Sequence, residues 1–248
     1  MAQTGRGGGK RRGTPGPAKG GAKGSQRSAP AKKGQPHRPR PVPAPAPAPE
    51  APRTFRLGAI PGATPGKWID RWRERLPHVE LEYVPLEVSA QREAILSGEV
   101  DAALVRLPID PTDLNVIRLY DEESVVVTSI DSALTAAEQL DPPDLAGEIL
   151  IVPRDHVLGA LDLPGTEAPR FDPPETTADA IATVAAGVGF VVVPMSLARL
   201  HHRKDLESVP LRGAPTSTVA LAWHADRTTP DVDTFVGIVR GRTANSSR

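Results

Sequence analysis

From residue 54 onward the chain alternates short apolar runs with stretches in which apolar residues recur at helical spacing, which predicts strands alternating with helices. Phe55, Leu57 and Ala59 alternate within Thr54–Ile60, the pattern of a buried strand. In the turn that follows, Pro61-Gly62-Ala63-Thr64-Pro65, Thr64 is expected as the N-cap and Pro65 as the first helical residue. Trp68, Ile69, Trp72 and Leu76 then keep helical spacing until Pro77. Val79, Leu81 and Tyr83 alternate with Glu80 and Glu82 as a second strand, and Ser89 is placed to cap a helix carrying Ile95 and Leu96 up to Gly98. A third strand is expected over Asp101–Arg106. Strand, helix, strand, helix, strand in this order argues for a parallel sheet covered by helices on both faces.

Further along, Val116–Leu119 and Val125–Thr128 read as strands and Ala133–Gln139 as a short helix stopped by Asp141-Pro142-Pro143-Asp144. Ile149–Val152 is expected to open the second half as a strand. Residues 153–174 are rich in Pro, Gly and Asp and read as loop, with at most one short helix near Val157–Leu161. Thr176 and its neighbours Thr177, Ala178 and Asp179 predict a capped helix running to Ala186, ended by Gly187 and Gly189, before a buried strand Phe190–Val193 closed by Pro194. A helix from Ser196 to about Arg203, strands near Val209–Leu211 and over Thr218–Trp223, and a last helix Asp231–Arg240 complete the series.

Charge divides the chain more sharply than its overall neutrality indicates. Residues 1–53 hold twelve Lys and Arg against the single acid Glu50, a net of +11; of thirty basic and thirty acidic residues in all, eighteen and twenty-nine follow residue 53, a net of −11. The first segment has Val42 as its only large aliphatic residue and no aromatic, so it cannot bury enough apolar surface to offset the entropy of ordering, and it is expected to be a disordered tail. Its Pro41–Pro49 repeat favours extended polyproline II, about 3.1 Å per residue. Clustered cations gain affinity for phosphates by releasing counterions, so weak, non-specific nucleic-acid contact through 1–53 stands beside the simpler reading of a solubilising tether. No helix-turn-helix can be drawn through this segment. Residues 242–248 are expected to form a disordered C-terminal tail. No apolar run is long enough for a membrane helix, no signal-peptide core follows the basic start, and there is no cysteine; a cytoplasmic, membrane-free protein without disulfides or thiolate chemistry is expected.

Candidate chemistry is sparse. Gly62-Ala63-Thr64-Pro65-Gly66-Lys67 sits where a phosphate loop belongs, but Pro61 and Trp68 occupy the positions that need glycine and a hydroxyl. His201 and His202 are adjacent and diverge by about 100° on a helix, which suits a helix C-terminus rather than a metal. Asp121-Glu122-Glu123 reads as a solvated turn. No nucleophile–base pair is visible, and neither catalysis, a metal nor a cofactor is expected.

The runs Phe55-Arg56-Leu57-Gly58-Ala59-Ile60-Pro61, Leu76-Pro77-His78-Val79-Glu80-Leu81 and Leu96-Ser97-Gly98-Glu99-Val100-Asp101-Ala102-Ala103-Leu104-Val105-Arg106 resemble the substrate-binding domain of LysR-type transcriptional regulators. Asp144–Leu150 and Val184–Pro194 follow in that family's order, so the resemblance spans roughly 54–241. It extends to a group of such domains, actinobacterial in character, that end in a similar Arg-Gly-Arg-Thr-Ala-Asn-Ser-Ser-Arg tail. The family's winged helix-turn-helix has no counterpart here, so DNA reading is not carried over, and the 153–174 stretch is shorter and richer in proline than the family's.

The resemblance implies a two-lobed α/β fold of the type 2 periplasmic-binding-protein kind with two crossover strands: lobe I about 54–126 and 213–241, lobe II about 127–212. It further implies a small-molecule effector in the cleft and pairing of two copies. Open α/β sheets bind ligands beyond the carboxyl ends of their strands, where helix starts offer free N–H groups. This rule selects Pro61, Gly62 and Thr64, Arg106-Leu107-Pro108, Thr128-Ser129 at the first crossover, Thr176-Thr177, and Pro194-Met195. A small organic anion bridging Thr64 and Thr176 with Arg106 as counter-charge is the sharpest form of the expectation. Plain N-caps for the threonines, and a strand-end arginine or a lobe–lobe ion pair for Arg106, account for them equally. An enzyme and a transporter-type solute-binding protein remain the alternatives to a sensor on this fold.

Overall fold

The computed structural model describes residues 52–241; the expectations for the basic tail up to residue 51 and for 242–248 lie outside the described residues. In chain order the elements are β1 (Arg53–Ala59), α1 (Gly66–Arg75), β2 (Val79–Pro85), α2 (Gln91–Ser97), β3 (Ala102–Arg106), β4 (Leu114–Glu122), β5 (Ser124–Ser129), α3 (Thr177–Ala185), β6 (Phe190–Pro194), α4 (Met195–Leu200), β7 (Leu206–Pro210), β8 (Ser217–His224) and α5 (Pro230–Val239).

They form two sheets, a five-stranded one in the order β2-β1-β3-β8-β4 and a three-stranded one in the order β6-β5-β7. The parallel arrangement expected from the opening alternation holds for β1, β2 and β3. β8 then joins antiparallel to both β3 and β4, so the first sheet is mixed. The chain leaves this sheet at Glu122, enters the second at Ser124, and returns between Pro210 and Ser217.

Both passages occur at one edge. Ser124 pairs with Pro194 and Val125 with Pro210, so the ends of β6 and β7 meet the start of β5 there. Glu122 pairs with Ser217 at the facing edge of the first sheet, and the parallel strands β1, β2 and β3 also finish on that side.

Each sheet has its own apolar filling. In the first, Phe55, Trp72 and Phe235 bring β1, α1 and α5 together, with Phe55 and Trp72 stacked at 4.5 Å between ring centroids. Trp72 Nε1 donates to the Val79 carbonyl at 3.1 Å, which satisfies the one polar atom of a fully buried indole. In the second, Val125, Val127, Val191 and Val193 face Ile181 and Val184 of α3, while Val126, Phe190 and Val192 face Leu140, Leu145 and Leu158. The alternate faces of β5 and β6 thus enter two cores, which is why these strands read as unbroken valine runs.

Several local expectations give way to tertiary structure. Thr64 is not a cap: α1 starts at Gly66 with Pro65 in the cap position, and the Pro65 carbonyl receives the N–H groups of Trp68 and Ile69. Ser89 likewise cedes the cap of α2 to Ala90, which contributes no side-chain bond. The helix expected over Ala133–Gln139 shrinks to a 3-10 turn, Ala133–Ala136, capped by Ser132. Ile149–Val152 is no strand; Leu150 makes a single bridge to Phe190, and Ile151 N–H donates to the Phe190 carbonyl. Residues 157–161 form no helix and lie in loop, with Leu158 and Leu163 as anchors in the core. The expected passage of lobes at 126/127 falls inside β5, because the change of sheet takes place at Glu123.

Candidate functional site

The facing edges of the two sheets enclose a cleft in two joined compartments of about 880 and 680 Å³. Pro61, Glu87 and Leu200 border both, so the compartments are two halves of one groove. Each lies within the range of small-molecule sites, roughly 300–1,000 Å³.

Arg106 lines the second and bonds Glu122 of the first. Strand β3 ends there, and its backbone is fixed from α2: Gln91 Nε2 donates to the Arg106 carbonyl at 2.9 Å, while Arg106 N–H donates to Gln91 Oε1 at 2.8 Å. The side chain is 2% exposed. Its Nη1 donates to Glu122 Oε2 at 2.9 Å and to Ser217 Oγ, and Nη2 reaches the Pro61 carbonyl at 3.5 Å. The ends of β1, β3 and β4 and the start of β8 are therefore joined through one guanidinium. Ser196 Oγ, in the first turn of α4, donates to the same Glu122 Oε2 at 2.8 Å and extends the network into the second lobe. Gly62 makes this approach sterically feasible: a Cβ there would lie 2.5 Å from Ser196 Oγ, and its φ of 84° already suits glycine.

The second compartment is lined by Arg106, Arg154, Asp155, His156, the start of α3 and His201. Asp155 occupies the first free amide of α3, accepting from Thr177 N–H and from Thr177 Oγ1, each at 2.9 Å. Thr176 is the N-cap the sequence indicates; its Oγ1 accepts from Asp179 N–H at 3.1 Å. Arg154 pairs with Glu175 at 2.9 Å on the rim. Among the described residues, two buried side-chain nitrogens have no partner, Arg106 Nε and His156 Nε2, and both residues line this compartment. Burial holds the His156 pKa below its ordinary value, against the opposing effects of a Gly159 hydrogen bond and the Asp155 charge.

The first compartment is of different character. Its walls are Pro85, Leu86, Met195 and Leu200, with Tyr83 and Tyr120 presenting ring surface and Glu87, Glu122 and Glu123 supplying carboxylates.

Of the residues expected in the site, Pro61, Gly62, Thr64 and Met195 line the first compartment, and Pro61, Arg106, Thr176 and Thr177 line the second. The others do not reach it. Thr128 and Ser129 sit at the end of β5 remote from the crossover, since β5 runs antiparallel to both neighbours and it is its start, Ser124, that faces the cleft. Pro194 is buried within β6, and Leu107 N–H donates to the Thr218 carbonyl while its side chain joins the cluster of Leu114 and Val105; Pro108 lines neither compartment. The Arg106 guanidinium is engaged by Glu122, Ser217 and Pro61 rather than standing as an open charge.

Glu122, Ser196, Glu87, Tyr83, Tyr120 and His156 were not selected by sequence reasoning. Asp121-Glu122-Glu123 is not a solvated turn: Asp121 and Glu122 close β4, after a register shift between Arg118 and Tyr120. That shift interrupts the alternation that would have marked Glu122 as inward-facing. Tyr83 and Glu87 bracket the end of β2, so the rule about strand ends, applied to β2 as to β1 and β3, would have found Glu87.

The LysR substrate binding domain family matches residues 49–244. The Hca operon transcriptional activator HcaR of Escherichia coli (strain K12) is 25% identical over 204 residues, 78% of this chain and 69% of that protein. The HTH-type transcriptional regulator CatR of Pseudomonas putida is 33% identical over 141 residues, 54% of this chain and 48% of that protein. The chain thus spans about half to two thirds of the length of these relatives. Among solved structures, the BenM effector binding domain with its effector benzoate superposes with a TM-score of 0.61 at 20% identity, covering 77% of this chain and 91% of that one. The reduced OxyR regulatory domain from Pseudomonas aeruginosa gives a TM-score of 0.58 at 23% identity, covering 77% and 96%. These likenesses establish the two-lobed periplasmic-binding-protein fold.

Two predictions follow from the buried groups. Glu122→Gln strands the Arg106 charge and is expected to cost about 3–5 kcal/mol in denaturant unfolding, whereas Arg106→Met combined with Glu122→Leu restores most of that loss; a single-variant cost below about 1 kcal/mol, the size of an exposed pair, contradicts it. For His156, the unfolded chain takes up its proton first, because the folded pKa is the lower one. Its contribution is therefore present above about pH 6.5 and is lost as pH falls from there through the folded pKa. His156→Asn should flatten the wild-type decline in stability between neutral and mildly acidic pH, and an unaltered decline contradicts the assignment.

Proposed function

This chain belongs to the LysR substrate binding domain family, and on that premise we propose that it is a cytoplasmic small-molecule sensor acting in transcription regulation, binding its effector in the cleft without transforming it. The observation that carries the reading is the pair of buried, unpartnered nitrogens, Arg106 Nε and His156 Nε2, in the wall of a cavity of about 680 Å³. A buried polar atom without a partner costs roughly 1–3 kcal/mol, and a ligand that supplies the missing hydrogen bonds recovers it.

In this reading a small organic anion lies in the second compartment. Its carboxylate accepts from Arg106 Nε–H and, once His156 is protonated, from His156 Nε2–H, near the start of α3. Its body extends past Pro61 and Leu200 toward Gly62, Thr64 and Met195. Thr176 and Thr177 shape the compartment rather than donate, since their hydroxyls are engaged by Asp179 and Asp155. Support for an anion comes from BenM, whose effector is benzoate and whose fold this chain shares. The regulators among the relatives support a sensor over an enzyme.

Occupancy of the cleft bears on both lobes at once and so shifts the population of their relative arrangement. The output passes to a second copy of the domain or to a partner regulator, with the basic segment 1–53 adding weak, non-specific contact to nucleic acid.

Calorimetric titration with benzoate and a series of straight-chain carboxylates tests this. At least one should bind, with His156→Ala weakening it about tenfold or more and Ser129→Ala, remote from the cleft, leaving it unchanged. Absence of binding across the series, or equal affinity in the His156 variant, contradicts the reading.

A further inference from the structure

The first compartment carries chemistry that an anion does not use. Three carboxylates face it and one cation, Arg199. Glu122 is matched by Arg106, so Glu87 and Glu123 outweigh Arg199, and neither of their carboxylates has an ion-pair or hydrogen-bond partner among the described residues. Glu122 itself is the most telling group. Its side chain is 10% exposed, and both of its hydrogen bonds, from Arg106 Nη1 and Ser196 Oγ, fall on Oε2. Oε1 has no partner among the described residues, although the carboxylate is nine-tenths buried in the compartment wall.

Two aromatic rings complete the arrangement. Tyr83 at the end of β2 and Tyr120 at the end of β4 are 45% and 39% exposed, unusually open for large rings, and both line this compartment. Partial desolvation of the half-open Tyr120 hydroxyl, and next the Glu122 charge, push it above its ordinary pKa against the opposing Arg106 charge, so the ring stays neutral. A phenol face next to carboxylates, with alkyl walls from Leu86, Met195 and Leu200, is the environment that attracts an organic cation through its charge and its C–H surface together.

We propose that the first compartment takes an organic ammonium group, held by Glu87, Glu122 and Glu123 against the rings of Tyr83 and Tyr120. The inference rests on the reading of the cleft as an effector site and adds the second pole of the ligand. Because Glu87 and Pro61 border both compartments, one molecule with an ammonium end here and a carboxylate end by His156 fills the groove, and the effector class is an amino carboxylate with separated charges. Glu122 links this pole to the lobe–lobe network, since an ammonium on Oε1 draws on the same carboxylate that holds Arg106 and Ser196.

The test is calorimetric titration of the full chain with hexylammonium, hexanoate and 6-aminohexanoate, on the wild type and on Glu123→Gln and Tyr120→Leu, two exposed positions whose substitution leaves the buried network in place. Hexylammonium is expected to bind the wild type and to weaken about three- to tenfold in each variant, hexanoate to be indifferent to both, and 6-aminohexanoate to bind more tightly than either single-ended probe. Failure of hexylammonium to bind, or equal binding in wild type and variants, overturns the proposal. Hexanoate reports separately on the second compartment: its failure to bind alongside a normal hexylammonium response removes the anion reading, and with it the amino carboxylate class, and leaves only the ammonium site standing.

Discussion

A single carboxylate oxygen organises the cleft. Glu122 Oε2 receives Arg106 from the first sheet and Ser196 from the second, at 2.9 and 2.8 Å, in surroundings from which water is almost wholly removed. A buried ion pair adds little net stability compared with apolar side chains of the same volume, because desolvation offsets most of the attraction. What it adds here is position. The ends of four neighbouring strands are fastened a second time through the Arg106 guanidinium, and the start of α4 is tied to the same carboxylate. Gly62 and Pro61, the turn after β1, are pressed against that junction. The floor of the groove thus rests on one carboxylate that holds a cation of its own lobe and a hydroxyl of the other.

The groove that results is polar at both ends and apolar along its length. Toward α3, Arg106, His156 and Arg154 stand with Asp155 and Glu175; toward β2, the carboxylates of Glu87, Glu122 and Glu123 stand with two tyrosine rings. The hydroxyls of Ser196 and Thr177 are held by carboxylates, and the buried atoms left unpaired are hydrogen-bonding nitrogens, Arg106 Nε and His156 Nε2. Recognition, with its consequence for how the lobes meet, is what such a surface does best.

The fold was legible in the sequence because its main signals are local. Short apolar runs marked β3, β5 and β6, the last bounded by Gly189 and Pro194, helical spacing marked α1, and Thr176 with Asp179 marked the start of α3. The site was legible only where strand order decided it. Pro61, Gly62 and Arg106 end parallel strands and line the cleft as the rule for open sheets requires. Thr128 and Ser129 fail by the same rule, because β5 is antiparallel to its neighbours and offers its beginning instead. Glu122 was hidden by the irregular register of β4, and Ser196 by a contact that spans two lobes and 74 positions of sequence. Thr64 shows the limit of capping rules: a buried proline placed next to it took over the helix start, leaving the hydroxyl free to face the groove.

The most direct measurement uses the absence of cysteine, which makes introduced thiols the sole labelling points. Spin labels at Lys67→Cys in α1 and Lys204→Cys before β7, both exposed and one in each lobe, report the lobe–lobe distance by double electron–electron resonance. If Glu122 fixes the cleft, the otherwise native chain gives one narrow distance distribution and the chain carrying Glu122→Gln a broad or displaced one. Identical distributions in the two would show that the lobes are held by something else and that the groove owes its shape to neither Arg106 nor Ser196.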